Sequence, residues 1–198
     1  MIVGITGGIG SGKTFVCNLF AQKGIPIYIS DIEAKKIMNS NIEVKNAIID
    51  LFGNNAYHEN GLNRAFISSQ VFSNTLLLEQ LNKIVHPAVD NHFNNWYKEQ
   101  NSKFVIKESA ILFETGGYKK CNYTILVSAP EALRIKRVIK RDQTTEELVR
   151  QRIKNQWSDE KKGALATYVI TNIEKEKTRE QVDFLYFELL KKDPSSTN

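Results

Sequence analysis

The chain lacks what several protein classes require. No apolar run approaches the ~20 residues that a membrane-spanning helix needs, and no basic region leads into an apolar leader before the strand-like stretch at Ile2. Its two cysteines, Cys17 and Cys121, have no metal-ligand spacing. Cys17 is read as a small buried residue. The three histidines form no metal cluster with them, and His58 and His92 are read as surface residues. No Ser-His-Asp arrangement, glycosidase carboxylate pair, internal repeat or low-complexity segment stands out. These absences leave an ordinary globular chain of 198 residues, 41% apolar and 25% charged, sized for one substantial domain or a core with small insertions. It is expected in the cytoplasm, without a membrane partner.

What the chain does have is a complete G-x-x-x-x-G-K-[ST] loop, Gly7-Gly8-Ile9-Gly10-Ser11-Gly12-Lys13-Thr14. A short strand, Ile2–Thr6, precedes it and a helix begins near Phe15. In this setting glycines let backbone N–H groups curl around phosphate oxygens. The lysine reaches the β- and γ-phosphates, and the Thr14 hydroxyl is placed to ligate Mg²⁺. The positive end of the following helix adds to the attraction for a polyanion.

Strand and helix patterns alternate along the rest of the chain, which predicts an α/β fold: a five-stranded parallel sheet flanked by helices. The strands are read at Ile2–Thr6, Ile25–Ile29, Phe104–Lys107, Tyr123–Val127 and Tyr168–Thr171. Ser30 and Glu33 form a capping box for the helix after strand two. Glu180–Lys191 is read as a closing helix with Val182, Leu185, Tyr186, Leu189 and Leu190 at helical spacing. The core is assigned to residues 1–33, 102–140 and 164–192, with a helical insertion over 34–101 that holds the acceptor. A basic lid is assigned to 141–163 and a frayed tail to 193–198. The proline of His86-Pro87 is expected to break or restart a helix.

Charge is concentrated. Residues 134–162 carry ten Lys or Arg against five acids, which accounts for the whole net charge of +5. Trp157 is the only aromatic there, so an element closing over phosphates suits the block better than a nucleic-acid surface. Arg134, Arg137 and Arg141 share one helix face by spacing, and Arg141 stands where the block becomes an insertion. Its guanidinium suits a transferring phosphoryl group. Asp31, just past strand two, is placed to orient or deprotonate an acceptor hydroxyl. Glu108, after strand three, is a candidate for holding Mg²⁺ through water, with a surface pair to Lys107 as the competing role. His86 is a candidate substrate contact.

These motifs together resemble dephospho-CoA kinase. The resemblance rests on the Thr6-to-Lys13 run, Asp31-Ile32-Glu33-Ala34-Lys35, Leu81-Asn82-Lys83-Ile84-Val85-His86-Pro87 and Ile111-Leu112-Phe113-Glu114. It continues through Lys140-Arg141-Asp142, Gln156 and Tyr168-Val169-Ile170-Thr171-Asn172. The family order is kept over residues from about 2 to 173. The resemblance implies a P-loop kinase that uses ATP and Mg²⁺ to phosphorylate the ribose 3′-hydroxyl of dephospho-CoA. It puts Asp31, Lys13 and Arg141 in catalysis. Gly8, Ile9, Gly10, Ser11, Gly12, Lys13, Thr14, Phe15, Arg141 and Asn172 fall on the nucleotide, with Asn172 near its base. Asp31, Lys35, His86, Phe113 and Glu114 fall on the acceptor, and Thr14 and Glu108 on the metal. The partner implied is this small molecule, with no nucleic acid, and a monomer is favoured. Ile29, Lys35, Ala110 and Thr167 depart from the family pattern; Lys35 keeps a charge but loses the arginine fork. The competing readings are a kinase for a nucleoside monophosphate, gluconate or shikimate, and a non-catalytic nucleotide- or nucleic-acid-binding module. A guanine-binding Asn-Lys-x-Asp signature is absent.

Overall fold

The computed structural model describes residues 1–72 and 74–192, so the tail expected to fray lies outside the described residues. Along the chain, β1 (Ile2–Thr6), α1 (Lys13–Gln22) and β2 (Ile27–Ile29) lead into α2 (Ser30–Ser40) and α3 (Ile42–Phe52). A small hairpin follows, β3 (Tyr57–His58) and β4 (Gly61–Leu62), and then α4 (Arg64–Phe72) and α5 (Thr75–Lys98). The chain continues with β5 (Val105–Glu108), β6 (Tyr123–Ser128), α6 (Glu131–Asp142), α7 (Glu146–Lys154), α8 (Asp159–Gly163), β7 (Tyr168–Thr171) and α9 (Lys175–Lys191). Two compact units result: Met1–Ile29 with Gln100–Asn198, and Ser30–Glu99.

The first unit is built on a five-stranded sheet in the order β2-β5-β1-β6-β7, with every pairing parallel. A parallel sheet covered by helices buries both strand faces, which explains the near-continuous apolar runs. Val3, Ile5, Ile106, Ile125, Val127 and Ile170 are all fully buried. Against the sheet α1 packs Val16, Leu19 and Phe20, while α9 packs Val182, Leu185 and Leu189. Phe20 meets the Phe104 ring edge-on at 6.3 Å. Tyr186 and Leu190, expected on the same stripe, are half-buried beside it. Two reciprocal bonds set strand register at the sheet's margin. Ile2 donates to Asn122 Oδ1 while Asn122 donates to the Ile2 carbonyl, both at 2.8 Å. Thr124 and Thr167 likewise exchange backbone N–H and hydroxyl bonds at 3.1 and 3.0 Å.

Several boundaries differ from expectation: α1 begins at Lys13 and β6 runs one residue further, to Ser128. Strand β2 is shorter because the Ile25 N–H closes the end of α1 on the Phe20 carbonyl, and the next residue is Pro26, which has no N–H. Strand β5 lies one residue later than read, so Glu108 ends the strand rather than following it. Helix α9 begins five residues earlier, at Lys175, where Thr178 Oγ1 donates to the Glu174 carbonyl and, by a second contact, to Asn172 Oδ1.

The second unit, Ser30–Glu99, packs α2, α3 and α4 on the long α5. Val85, Val89 and Phe93 of α5 are buried at four-residue spacing, with Ile37, Val44, Ile48 and Ile67 from the other helices also buried. Asn41 and Asn74 cap α3 and α5 by accepting the N–H of Val44 and Leu77. Two expectations fail here. Helix α5 runs unbroken through Pro87, since the apolar stripe on both sides of the proline holds it although one backbone bond is lost. The capping box does not form either. Helix α2 starts at Ser30 itself, directly from β2, so Ser30 lacks the extended conformation of a cap. Its buried hydroxyl has no hydrogen-bond partner, and Glu33 turns to Lys36 at 2.8 Å.

Phe20 is 0% exposed and carries the contact between α1 and the Phe104 ring. Replacing Phe20 by Ala is expected to destabilise the first unit by about 3–5 kcal/mol. Denaturant unfolding followed by circular dichroism and by the fluorescence of Trp157 in a Trp96→Phe background measures it.

Candidate functional site

The glycine-rich loop leaves the carboxyl end of β1, the central strand, and closes onto the first turn of α1. Gly10 and Gly12 sit at φ of 80° and 93°, a backbone conformation that side chains disfavour. The Ser11 N–H bonds the Gly8 carbonyl at 3.0 Å, closing the turn, and the buried Ser11 hydroxyl has no partner. Lys13 folds its Nζ back to the Gly7 carbonyl at 2.8 Å and stands 4.0 Å from Glu108 Oε1. Glu108 faces the loop's lysine because β5 pairs with β1 in register, Ile5 beside Glu108. Thr14 is exposed in the first turn of α1, whereas Phe15 is half-buried against the core with the Arg179 guanidinium 5.6 Å from its ring centre.

Glu108 and Lys107, whose pairing at the surface is the competing role, lie away from the surface. Both residues are 7% exposed, and strand alternation sends neighbouring side chains to opposite faces. Cys17, one turn along α1, is buried as expected. Burial, reinforced by the Glu108 carboxylate, pushes its thiol well above the usual range.

The basic block is more internal than its composition implies. Arg134 is 6% exposed and donates from Nε to the Ile9 carbonyl at 3.0 Å. Its Nη1 bonds Asp159 Oδ1 at 3.2 Å, and Asp159 Oδ2 accepts the Ser128 hydroxyl at 2.7 Å. Arg137 donates to the carbonyls of Asn172 and Ile173 at 3.0 and 3.4 Å. Arg141 parts from these two: exposed at the end of α6, it makes a forked pair with Asp142 at 2.7 and 3.1 Å, and Arg152 shares that carboxylate at 3.0 Å. The Arg141 fork is the main reason the Asp142 carboxyl lies below the usual carboxylate range.

Asn172 is 4% exposed and braces the loop from behind, donating from Nδ2 to the Ser11 carbonyl at 2.7 Å. Gln156, in the connection between α7 and α8, accepts the Ile9 N–H at 2.9 Å. Phe113 is 1% exposed and tilts against Tyr118, ring centres 5.1 Å apart. Glu114 accepts the Trp157 N–H at 3.0 Å and pairs with Lys162 at 2.9 Å. Lys162 is 0% exposed, so this member of the block faces inward rather than solvent. Its Nζ also donates to the Ala110 carbonyl at 3.3 Å. The 141–163 segment accordingly belongs to the same compact unit as the sheet.

Three candidate residues lie in the second unit. Asp31 and Lys35 are exposed on α2, and His86 is half-buried on α5. Burial lowers the His86 pKa, opposed by Asp90 one turn on. Missed by sequence reasoning were the bracing roles of Arg134, Asp159 and Lys162. Only the helical spacing of Arg134 and Arg137 hinted that they act together.

The arrangement is a phosphate cradle: a loop with two left-handed glycines, a lysine, a carboxylate and an exposed hydroxyl at a helix start. The family model for dephospho-CoA kinase (CoaE) matches residues 1–177. Similar relatives include a dephospho-CoA kinase of Salinibacter ruber, 41% identical over 174 residues covering 86% of this chain and 87% of the relative. A dephospho-CoA kinase of Bacteroides fragilis is 38% identical over 171 residues, covering 86% and 83%. Among solved structures, TT1252 from Thermus thermophilus is similar with a TM-score of 0.86 at 30% identity, covering 96% of this chain and 97% of that one. Dephospho-CoA kinase from Campylobacter jejuni shares the fold, with a TM-score of 0.62 at 20% identity over 95% and 96% of the two chains.

Glu114 and Lys162 make a directly testable pair. Glu114→Ala leaves a buried ammonium uncompensated and is expected to destabilise the protein by about 3–5 kcal/mol. The double variant Glu114→Leu with Lys162→Met is expected to regain most of that loss in the same thermal melt.

Proposed function

The chain belongs to the dephospho-CoA kinase family, and on that premise we propose how its own residues carry the family's reaction, ATP-dependent phosphorylation of dephospho-CoA to coenzyme A. The observation that carries the proposal is the loop with Lys13 turned toward it and Glu108 beside that lysine. Lys13 and the loop amides neutralise the β- and γ-phosphates of ATP, and the start of α1 adds its positive end. Arg141 leaves its Asp142 partner to meet the transferring phosphoryl, and Asn172 holds the loop and borders the base.

Asp31 takes the acceptor role. As the ribose 3′-oxygen forms its bond to the γ-phosphorus, the bond from that phosphorus to the β–γ bridging oxygen breaks and ADP leaves. The hydroxyl proton passes to the Asp31 carboxylate. Lys35, His86, Phe113 and Glu114 contribute to acceptor binding. The 141–163 segment serves as the lid.

Magnesium fits the donor set. The exposed Thr14 hydroxyl and the Glu108 carboxylate are hard oxygen donors, and Mg²⁺ held mainly by substrate phosphates needs only one or two protein oxygens. No cluster of three or more His, Cys, Asp or Glu occurs among the described residues. When bound, the ion supplies positive charge to the β- and γ-phosphates. No helix among the described residues is long and apolar enough to cross a membrane. With one small-molecule acceptor and no nucleic-acid partner, the proposal is completed by a cytoplasmic monomer.

The decisive assay offers ATP with dephospho-CoA, a nucleoside monophosphate, gluconate or shikimate and reads product by mass. Turnover is expected with dephospho-CoA alone; a better nucleoside monophosphate or gluconate would overturn the acceptor assignment. Asp31→Asn is expected to lower kcat by about 10²-fold or more with ATP affinity nearly kept, and Lys13→Ala to weaken both. Near-normal kcat in Asp31→Asn would remove the proton-accepting role.

A further inference from the structure

We propose that Arg134, Gln156 and Asp159 form a clamp that fixes the phosphate loop at Ile9, making Arg134 and Gln156 positioning residues for the triphosphate. The geometry is specific. The Ile9 N–H belongs to one peptide plane and the Ile9 carbonyl to the next. Gln156 holds the first through Oε1 at 2.9 Å, and Arg134 holds the second through Nε at 3.0 Å. With both planes tied, the φ and ψ of Ile9 are set from outside the loop, by side chains 147 and 125 residues away.

The clamp is itself secured. Arg134 Nη1 is bound by Asp159, whose second oxygen is bound by Ser128 at the end of β6. One guanidinium thus bonds two acceptors in fixed directions, a task for arginine's planar fork that a lysine ammonium does not reproduce. The loop is shaped to receive it. A Cβ on Gly8 would strike the Arg134 guanidinium, and one on Gly10 would come within 2.5 Å of the Arg134 carbonyl. Since Asp159 offsets the Arg134 charge at close range, the arginine acts by placing backbone rather than by adding a free cation. Gln156 and Asp159 sit on either side of Trp157, whose N–H is fixed by Glu114. The loop's shape therefore depends on the connection between α7 and α8. The functional consequence rests on the reading that this loop carries the phosphates of ATP.

The test uses the full chain with Arg134→Lys, Gln156→Ala and Gln156→Glu. Amide exchange at Ile9 is expected to accelerate about tenfold or more in the first two, and to return toward wild type in Gln156→Glu, which keeps an acceptor. Affinity for inorganic tripolyphosphate and the KM for ATP are each expected to weaken about tenfold in those two variants, with the KM for dephospho-CoA within about twofold. Unchanged Ile9 exchange and unchanged tripolyphosphate binding in both would overturn the clamp. Equal losses toward both substrates, tracking a lowered melting temperature, would overturn it in favour of a merely structural role. A wild type that binds tripolyphosphate but transfers nothing to dephospho-CoA would overturn the acceptor reading, while exchange at Ile9 would still decide the clamp. Gln156 is half-exposed in a connection, so its variants keep the question decidable even if Arg134→Lys fails to fold.

Discussion

A phosphate-binding loop is backbone that has left the sheet without joining a helix, so its peptide groups need partners from elsewhere. In this protein those partners arrive from three distant places. Arg134 comes from α6, Gln156 from the connection before α8, and Asn172 from the end of β7. The sheet order makes this possible: β1 lies at the centre, with β6 beside it and β7 beyond, so the segments after those strands reach the loop that follows β1. Much of the first unit's connectivity serves to bring these three side chains to one short stretch of backbone.

The same requirement explains the positive block. Its composition suggests a charged face waiting for a polyanion, yet the inward members are already committed. Arg134 is paired with Asp159, Arg137 with two carbonyls, and Lys162 with Glu114. Further out, Arg150 is shared between Glu131 and Glu146, and Asp142 is shared between Arg141 and Arg152. Exposed pairs of this kind contribute little stability and exchange partners readily. Buried charges cannot do so, because an unpaired one is heavily penalised. The block thus divides into a fixed inner layer that shapes the loop and an outer layer free to re-pair, to which Arg141 belongs.

This division marks where the sequence was legible. The loop, the five parallel strands and the stripe on α9 were readable because each is announced by neighbours within a few residues. The bracing of the loop was not, since each contact joins residues more than a hundred positions apart and arginine or glutamine carries no local signature of its partner. Local rules also overreached. Ser30 with Glu33 has the spacing of a capping box, but the helix begins one residue too early for it. Pro87 reads as a helix breaker, but the stripe of Val85, Val89 and Phe93 continues through it. In both cases tertiary placement decided against a preference worth only a few kcal/mol. Among the site residues, Lys13 and Glu108 come together at the end of neighbouring strands, whereas Glu114 is tied to Lys162, a lysine of the segment assigned to the lid.

The glycines of the loop then have two reasons to be glycine. One is the ligand, since backbone N–H groups must come close to phosphate oxygens. The other is the protein itself. Gly8 lies against the Arg134 guanidinium, Gly10 against the Arg134 backbone, and Gly12 against the Asn172 amide, each too close to admit a side chain. A loop held on its outer side by such contacts is ordered before any nucleotide arrives, so the entropy of arranging its amides is lost during folding and not during binding. In the proposed reaction Lys13, turned onto the Gly7 carbonyl, exchanges that acceptor for a phosphate oxygen. The bracing and the proposed chemistry are two faces of one stretch of backbone, so under the proposed clamp a change on the bracing face reaches the triphosphate without touching it.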